Sequence, residues 1–167
     1  MDLTRTLIIG NSGSGKSWLA QRLAEQLRVP WTDLDRIHWL SDEHSIARPR
    51  AEALAMARIE AEQERWVIEG VYDWIVSELL SRATALIWLS VGDEDCVTNI
   101  RQREAGRDEQ DLLLIALLEW AGSYRQRQGS SGFAAHQRLF EGFTGAKIQL
   151  MDRAEITDFF GVIRNTG

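Results

Sequence analysis

Residues Gly10-Asn11-Ser12-Gly13-Ser14-Gly15-Lys16-Ser17 follow the apolar run Leu7-Ile8-Ile9 and lead into Trp18-Leu19-Ala20-Gln21-Arg22-Leu23-Ala24-Glu25-Gln26-Leu27. The pattern is G-x-x-x-x-G-K-S between a strand and a helix, the context that a phosphate-binding P-loop requires. Glycines let the chain turn with its amides inward. Backbone N–H groups and the positive end of the following helix then surround a polyphosphate. In that geometry Lys16 reaches the β- and γ-phosphates and the Ser17 hydroxyl ligates Mg²⁺. The stretch therefore predicts a nucleoside triphosphate site, with Gly10, Asn11, Ser12, Gly13, Ser14, Gly15, Lys16, Ser17 and Trp18 around the phosphates. A flexible Gly/Ser turn is the competing reading, and it leaves the flanking strand and helix unexplained.

Around this loop the chain has 167 residues, enough for one domain with a real core. Its formal net charge of −6 provides no basic footprint for DNA, RNA or an anionic membrane. The lone cysteine, Cys96, has no internal disulfide partner, as expected in a reducing cytosol. Met1-Asp2-Leu3-Thr4-Arg5 runs straight into the first strand, so neither a signal peptide nor a membrane span is expected, and the location expected is the cytoplasm.

Strands are expected at Thr4–Ile9, Trp31–Leu34, Trp66–Glu69, Ala85–Leu89 and Ala146–Met151, each short, apolar and bounded by turn residues. Between them lie expected helices. Leu19, Leu23 and Leu27 recur every four residues in the first, about Lys16 to Leu27. Pro49 suits the first residue of another, to about Glu64, whose stripe is thin and mostly alanine. Further helices are expected from about Trp74 to Leu80, from Asp93 to Glu104 and from Ala154 to Ile163, with a loop at Gly129–Gly132. The run Leu112–Leu118 is apolar on all sides, which implies a helix buried in the chain or covered by a partner. Strands alternating with helices imply an α/β fold: a doubly wound, five-stranded parallel sheet with helices on both faces.

The chain resembles the small P-loop kinases, namely adenylate kinase, shikimate kinase and gluconate kinase. It is also similar to the adenylate-kinase-like proteins labelled DNA topology modulation proteins. The pieces that carry the resemblance are the loop, Trp31-Thr32-Asp33-Leu34-Asp35-Arg36-Ile37-His38-Trp39, Trp66-Val67-Ile68-Glu69-Gly70-Val71-Tyr72, and the cluster Arg101, Arg103 and Arg107. What the resemblance implies is a P-loop NTPase fold with a small lid at about 101–111 and an acceptor-binding insert at about 36–65. On this analogy Asp33 supports Mg²⁺ through water, Asp35 holds or deprotonates the acceptor hydroxyl, and Glu69 lies near the metal. The competing reading of this pair is a solvated strand end, with an Asp capping the next helix. The three arginines resemble lid arginines that close over ATP, at least one of them catalytic; Arg125 and Arg127 are further candidates without a motif.

One departure stands out. Adenylate kinases follow the acid–glycine pair of the third strand with an arginine that grips the monophosphate, whereas this chain reads Val71-Tyr72-Asp73-Trp74. Arg36, Arg48 and Arg50 are the candidates to replace it. Trp31, Trp39, Tyr72 and Trp74 are candidates to line an acceptor pocket by stacking. His38, His44 and His136 are not spaced as a metal site and are expected to be structural. The expected activity is ATP- and Mg²⁺-dependent phosphoryl transfer to a nucleotide or similar small acceptor, by a monomer or homodimer. The alternatives are a kinase for a non-nucleotide hydroxyl compound, or an ATP-binding NTPase with a regulatory role in DNA topology.

Overall fold

The apolar run before the phosphate loop forms the centre of the sheet. In the computed structural model, which describes residues 1–41, 46–108 and 110–166, β1 (Arg5–Gly10) leads through the loop into α1 (Lys16–Leu27). β2 (Trp31–Asp33), β3 (Trp66–Gly70), β4 (Ala85–Leu89) and β5 (Ala146–Leu150) complete the sheet. Its order is β2-β3-β1-β4-β5 and every pairing is parallel. Leu7, Ile8 and Ile9 are wholly buried. At about 1.5–3 kcal/mol for each such side chain, these three alone are of the order of a domain's net stability. The loop thus springs from the central, buried strand of the sheet.

Strand periodicity sorts the core into two layers. Leu7, Ile9, Ile68, Leu86 and Trp88 point to one face. There they meet α2 (Leu34–His38), α3 (Arg50–Glu62), α4 (Asp73–Leu79) and α7 (Phe133–Gly142). Ile8, Val67, Ile87 and Leu89 point to the other, under α1 and α8 (Arg153–Thr166). Right-handed crossovers explain the division. The chain moves one way from β1 to reach β2, then back across β1 to β4 and β5, so α1 covers the face opposite to α2, α3, α4 and α7. β1 is therefore the switch point of the sheet, and ligand crevices open at the carboxyl ends of strands there. α5 (Asp93–Arg103) and α6 (Leu112–Gly122) pack together over Ile100, Leu114 and Ala121 at that edge.

Three elements differ from the sequence expectation. Leu34 does not extend β2: Asp33 Oδ1 accepts the Asp35 amide at 2.9 Å, capping a helix that begins at Leu34. α7 was not foreseen, because its inner face carries the buried imidazole of His136 where an apolar residue would have completed the stripe. α6 has only Leu114 and Ala121 fully buried, while Leu112 stays 79 % and Leu113 53 % exposed. Asp111 caps it through the amides of Leu113 and Leu114.

Candidate active site

The phosphate loop is built by glycine conformations and anchored by two side-chain amides. Gly13 has φ +79°, and a Cβ there would lie 2.3 Å from the Cys96 carbonyl oxygen, so α5 packs directly against the loop backbone. Gly15 has φ +95° and faces open space, where a Cβ would meet nothing within 4 Å. Asn99 Nδ2 donates to the Gly13 carbonyl at 2.9 Å, and Asn11 Nδ2 donates to the Ala121 carbonyl at 2.8 Å. Ser14 Oγ is buried without a hydrogen-bond partner among the described residues. Lys16 is buried too, and its ammonium is held by the Asn11 carbonyl at 3.0 Å. An open concave backbone with a buried lysine and an unsatisfied hydroxyl has the donor set of a polyphosphate cradle.

Beside the loop, Ser17 Oγ donates to Glu69 Oε1 at 2.6 Å. Glu69 ends β3 next to Ile8 of β1 and Asp33 of β2, and is 2 % exposed. Burial pushes its carboxyl up to about 7, against the pull of Lys16 and the Ser17 hydrogen bond; the neighbouring Asp33 pushes the same way as burial. Asp33 is also raised, first by burial and then by the nearby Asp35 carboxylate. Two crowded carboxylates held above their ordinary range are a site short of positive charge. The described residues contain no group of three or more His, Cys, Asp or Glu placed to hold a metal by themselves. A hydroxyl, a carboxylate and neighbouring phosphate oxygens suit Mg²⁺, which takes few protein ligands.

Asp35 lines the same cleft, a space of about 1970 Å³. Its Oδ1 accepts the Tyr72 hydroxyl at 2.5 Å, and burial together with that carboxylate pushes the phenol's pKa up. Three residues further along α2, His38 lies 4.3 Å from the Tyr72 ring, 4.5 Å from Trp39 and 5.9 Å from Trp74. Burial lowers the His38 pKa, favouring the neutral ring.

The expected residues divide as follows. Lys16, Ser17, Trp18, Asp35, Glu69, Arg103 and Arg107 all line the cleft. Asp33 does not; it caps α2 while touching Glu69 through the sheet register. Arg101 borders a separate small hollow of about 240 Å³ with Asp93 and Glu94. Arg103 pairs with Glu104 at 2.9 Å, and Arg107 pairs with Glu104 at 3.0 Å and Asp111 at 2.5 Å, all on the exposed turn. Arg125 donates to the Ser90 carbonyl at 3.0 Å, and Arg127 to the carbonyls of Ser131 and Trp120. His44 lies outside the described residues.

Several contributors were not read from the sequence. Asn99 is one, since a lone Asn on a helix carries no motif. Arg22 and Arg153 also line the cleft, Arg22 with its guanidinium 4.7 Å from the Trp18 ring centroid. A buried relay lies behind the cleft: Trp88 Nε1 donates to the Tyr124 hydroxyl at 3.1 Å, which meets His136 Nδ1 at 2.7 Å, and His136 Nε2 meets the Val71 carbonyl at 2.9 Å. Burial pushes His136 down to about 4, so the ring is neutral with Nε2 protonated and Nδ1 accepting. No described helix is long and apolar enough to cross a membrane.

No protein-family model and no curated protein matches the sequence. Solved structures do match in shape over nearly the whole chain. A shikimate kinase from Bacteroides thetaiotaomicron superposes with a TM-score of 0.56 at 22 % identity, covering 98 % of this chain and 97 % of its own. The shikimate kinase of Acinetobacter baumannii, solved with shikimate, gives 0.60 at 15 % identity over 98 % and 94 %. A gluconokinase from Sinorhizobium meliloti 1021 gives 0.54 at 14 % identity over 99 % and 97 %. With its five parallel strands, its loop at the switch point and helices on both faces, the chain has the P-loop NTPase fold in the form found in these small-molecule kinases.

Proposed function

We propose that the chain is an ATP- and Mg²⁺-dependent phosphotransferase that moves the γ-phosphoryl group to a hydroxyl of a small molecule. The observation that carries the reading is the Ser17–Glu69 contact at 2.6 Å beside Lys16, in one cleft with an Asp35 carboxylate. This arrangement puts a phosphate cradle and a proton acceptor in the same space. Bound Mg²⁺, held through Ser17 and supported by Glu69, with Asp33 behind it in the sheet, would neutralise phosphate charge.

The remaining chemistry belongs to the protein's own groups. The loop amides and Lys16 fix the phosphates and take up charge as it develops. Asp35, oriented by the Tyr72 hydroxyl, aligns the acceptor hydroxyl and receives its proton. Arg103 and Arg107 lie at the cleft margin in surface ion pairs, which contribute little in water. Drawn over phosphates, the same guanidiniums would exclude water and gain strength as the local dielectric falls. The segments about 36–65 and about 101–111 serve in this reading as acceptor wall and lid.

The decisive experiment measures ADP release from Mg·ATP with a panel of nucleotides, sugars and small hydroxyl compounds. Acceleration by an acceptor, lost in Asp35→Asn, is the expected result. ATP turnover that no acceptor accelerates would instead make the protein a bare NTPase.

A further inference from the structure

The two ends of the cleft differ in charge. Lys16, Arg22, Arg103, Arg107 and Arg153 line it on the side of the phosphate loop, α1, the lid turn and α8. The opposite end is walled by Asp35, His38, Trp39, Tyr72 and Trp74, and no lysine or arginine lines that end among the described residues. Asp42, Glu43, His44 and Ser45, which lie outside the described residues, contain no lysine or arginine either.

The arginines nearest this end lie outside its lining, two of them against rings and two held by hydrogen bonds. The Arg36 guanidinium lies 5.6 Å from the Trp31 ring centroid. Arg48 donates to the Ile37 carbonyl at 2.8 Å and to Glu52 at 2.5 Å. Arg50 lies 4.2 Å from the centroid of Trp74. Arg127 is held by the Ser131 and Trp120 carbonyls. None of the four lines the cleft. A carboxylate or phosphate ester entering here would meet Asp35 and no lysine or arginine in the lining, the nearest guanidinium being that of Arg50 against Trp74, and an unpaired anion in a part-buried site is costly. The aromatic rings offer the opposite: flat faces for apolar surface, with electron-rich sides that attract cations.

We propose that this end of the cleft takes a hydroxyl compound with no anionic group, uncharged or amine-bearing, whose flat or apolar side packs on Trp39, Tyr72 and Trp74. The inference rests on the phosphotransfer reading and narrows its acceptor. It separates the chain from the shikimate and gluconate named for its structural neighbours, both of which are carboxylates. In the transfer itself, the acceptor oxygen bonds to the γ-phosphorus and the bond from that phosphorus to the β,γ-bridging oxygen breaks. ADP departs, and the hydroxyl proton passes to Asp35.

Three probes of one skeleton test it: 4-(hydroxymethyl)benzylamine, 1,4-benzenedimethanol and 4-(hydroxymethyl)benzoate, which carry positive, zero and negative charge at neutral pH. Each is titrated by calorimetry and tryptophan fluorescence into the protein with Mg²⁺ and a non-hydrolysable ATP analogue. The amine and the diol should bind saturably and at least about tenfold more tightly than the benzoate. Trp39→Phe and Trp74→Leu should weaken both, and Asp35→Asn should weaken both as well, because its carboxylate meets the hydroxyl that the two probes share. Should Asp35→Asn fail to fold, the order of the three probes on the unaltered protein decides. Benzoate binding as tight as the others, or no saturable binding of any probe, overturns the inference. A nucleotide analogue that does not bind would overturn the phosphotransfer reading instead.

Discussion

Ser17 and Glu69 are joined by a 2.6 Å hydrogen bond that ties the first turn of α1 to the end of β3. The bond joins a hydroxyl suited to a metal to a carboxyl that burial holds near 7. An acid raised this far costs stability when it ionises. The unfolded chain releases the proton near pH 4.5, the folded chain near 7, so the nucleotide-free protein should lose stability as pH rises between those values. Glu69→Gln keeps an acceptor for the Ser17 hydroxyl and removes the ionisation. Its melting temperature at pH 8 without nucleotide should exceed that of the unaltered protein by about 2–6 °C, with little difference at pH 5. Turnover with Mg·ATP should fall by about a hundredfold or more in the same variant. Thermal melts at the two pH values and an ADP assay check both halves.

Lys16 is buried with its ammonium on a loop carbonyl, and it also offsets the Glu69 charge. Lys16→Ala should abolish most nucleotide affinity while leaving the fold intact, because the side chain packs in the loop and takes no part in the sheet core. Calorimetry with Mg·ATP measures the loss and circular dichroism the fold. Unchanged affinity would remove the phosphate assignment from the loop.

Among Arg101 and Arg103 of α5 and Arg107 of the turn that follows, geometry separates Arg101 from the others. Arg103→Ala and Arg107→Ala should lose turnover by about a hundredfold in at least one case, while ATP affinity changes only slightly, since differential binding raises rate more than ground-state binding. Arg101→Ala should stay near normal, because that side chain borders the small hollow with Asp93 and Glu94. Single variants assayed for turnover and for ATP binding decide it.

The buried relay from Trp88 to Val71 makes a prediction independent of catalysis. Tyr124→Phe removes the hydroxyl that meets both Trp88 Nε1 and His136 Nδ1. Leaving those groups unpaired should cost about 1–3 kcal/mol in urea unfolding. His136 has its folded pKa lowered to about 4 from 6.5, so stability from the neutral ring is whole above 6.5 and is lost as pH falls toward 4. His136→Gln should flatten that part of the acid-unfolding curve.

How much of this was legible follows from where the information sits. The loop and the strands β1, β3 and β4 could be read because backbone turning and complete burial write themselves into residue type: Gly10, Gly13 and Gly15 at one place, unbroken apolar runs at the others. That an Asp of the Asp33/Asp35 pair caps the next helix was one reading of the pair, and only the position of the Asp35 amide shows that Asp33 is the one that does so. α7 stayed hidden because His136 satisfies its buried polarity with partners 12 and 65 residues distant, which no local pattern records. Asn99 escaped for the same reason: its partner is a carbonyl 86 residues away. For α6 the sequence left burial within the chain and cover by a partner as alternatives, and this chain does not bury its outer side, because hydrophobicity counts residues whereas burial depends on neighbours. Leu112 and Leu113 have few.

The cleft's walls also have an evolutionary geography. The side around the loop is assembled from the loop at 10–18, Arg22 of α1, Glu69 of β3 and helices in the second half of the chain, whereas Asp35, His38, Trp39, Tyr72 and Trp74 all fall between positions 35 and 74. That stretch is linked to the phosphate loop by β-sheet pairing, and its substitution need not disturb the two asparagine tethers at Asn11 and Asn99. Selection can therefore vary positions within that stretch to change what is recognised, provided that Glu69, which lies inside it and holds Ser17, is kept.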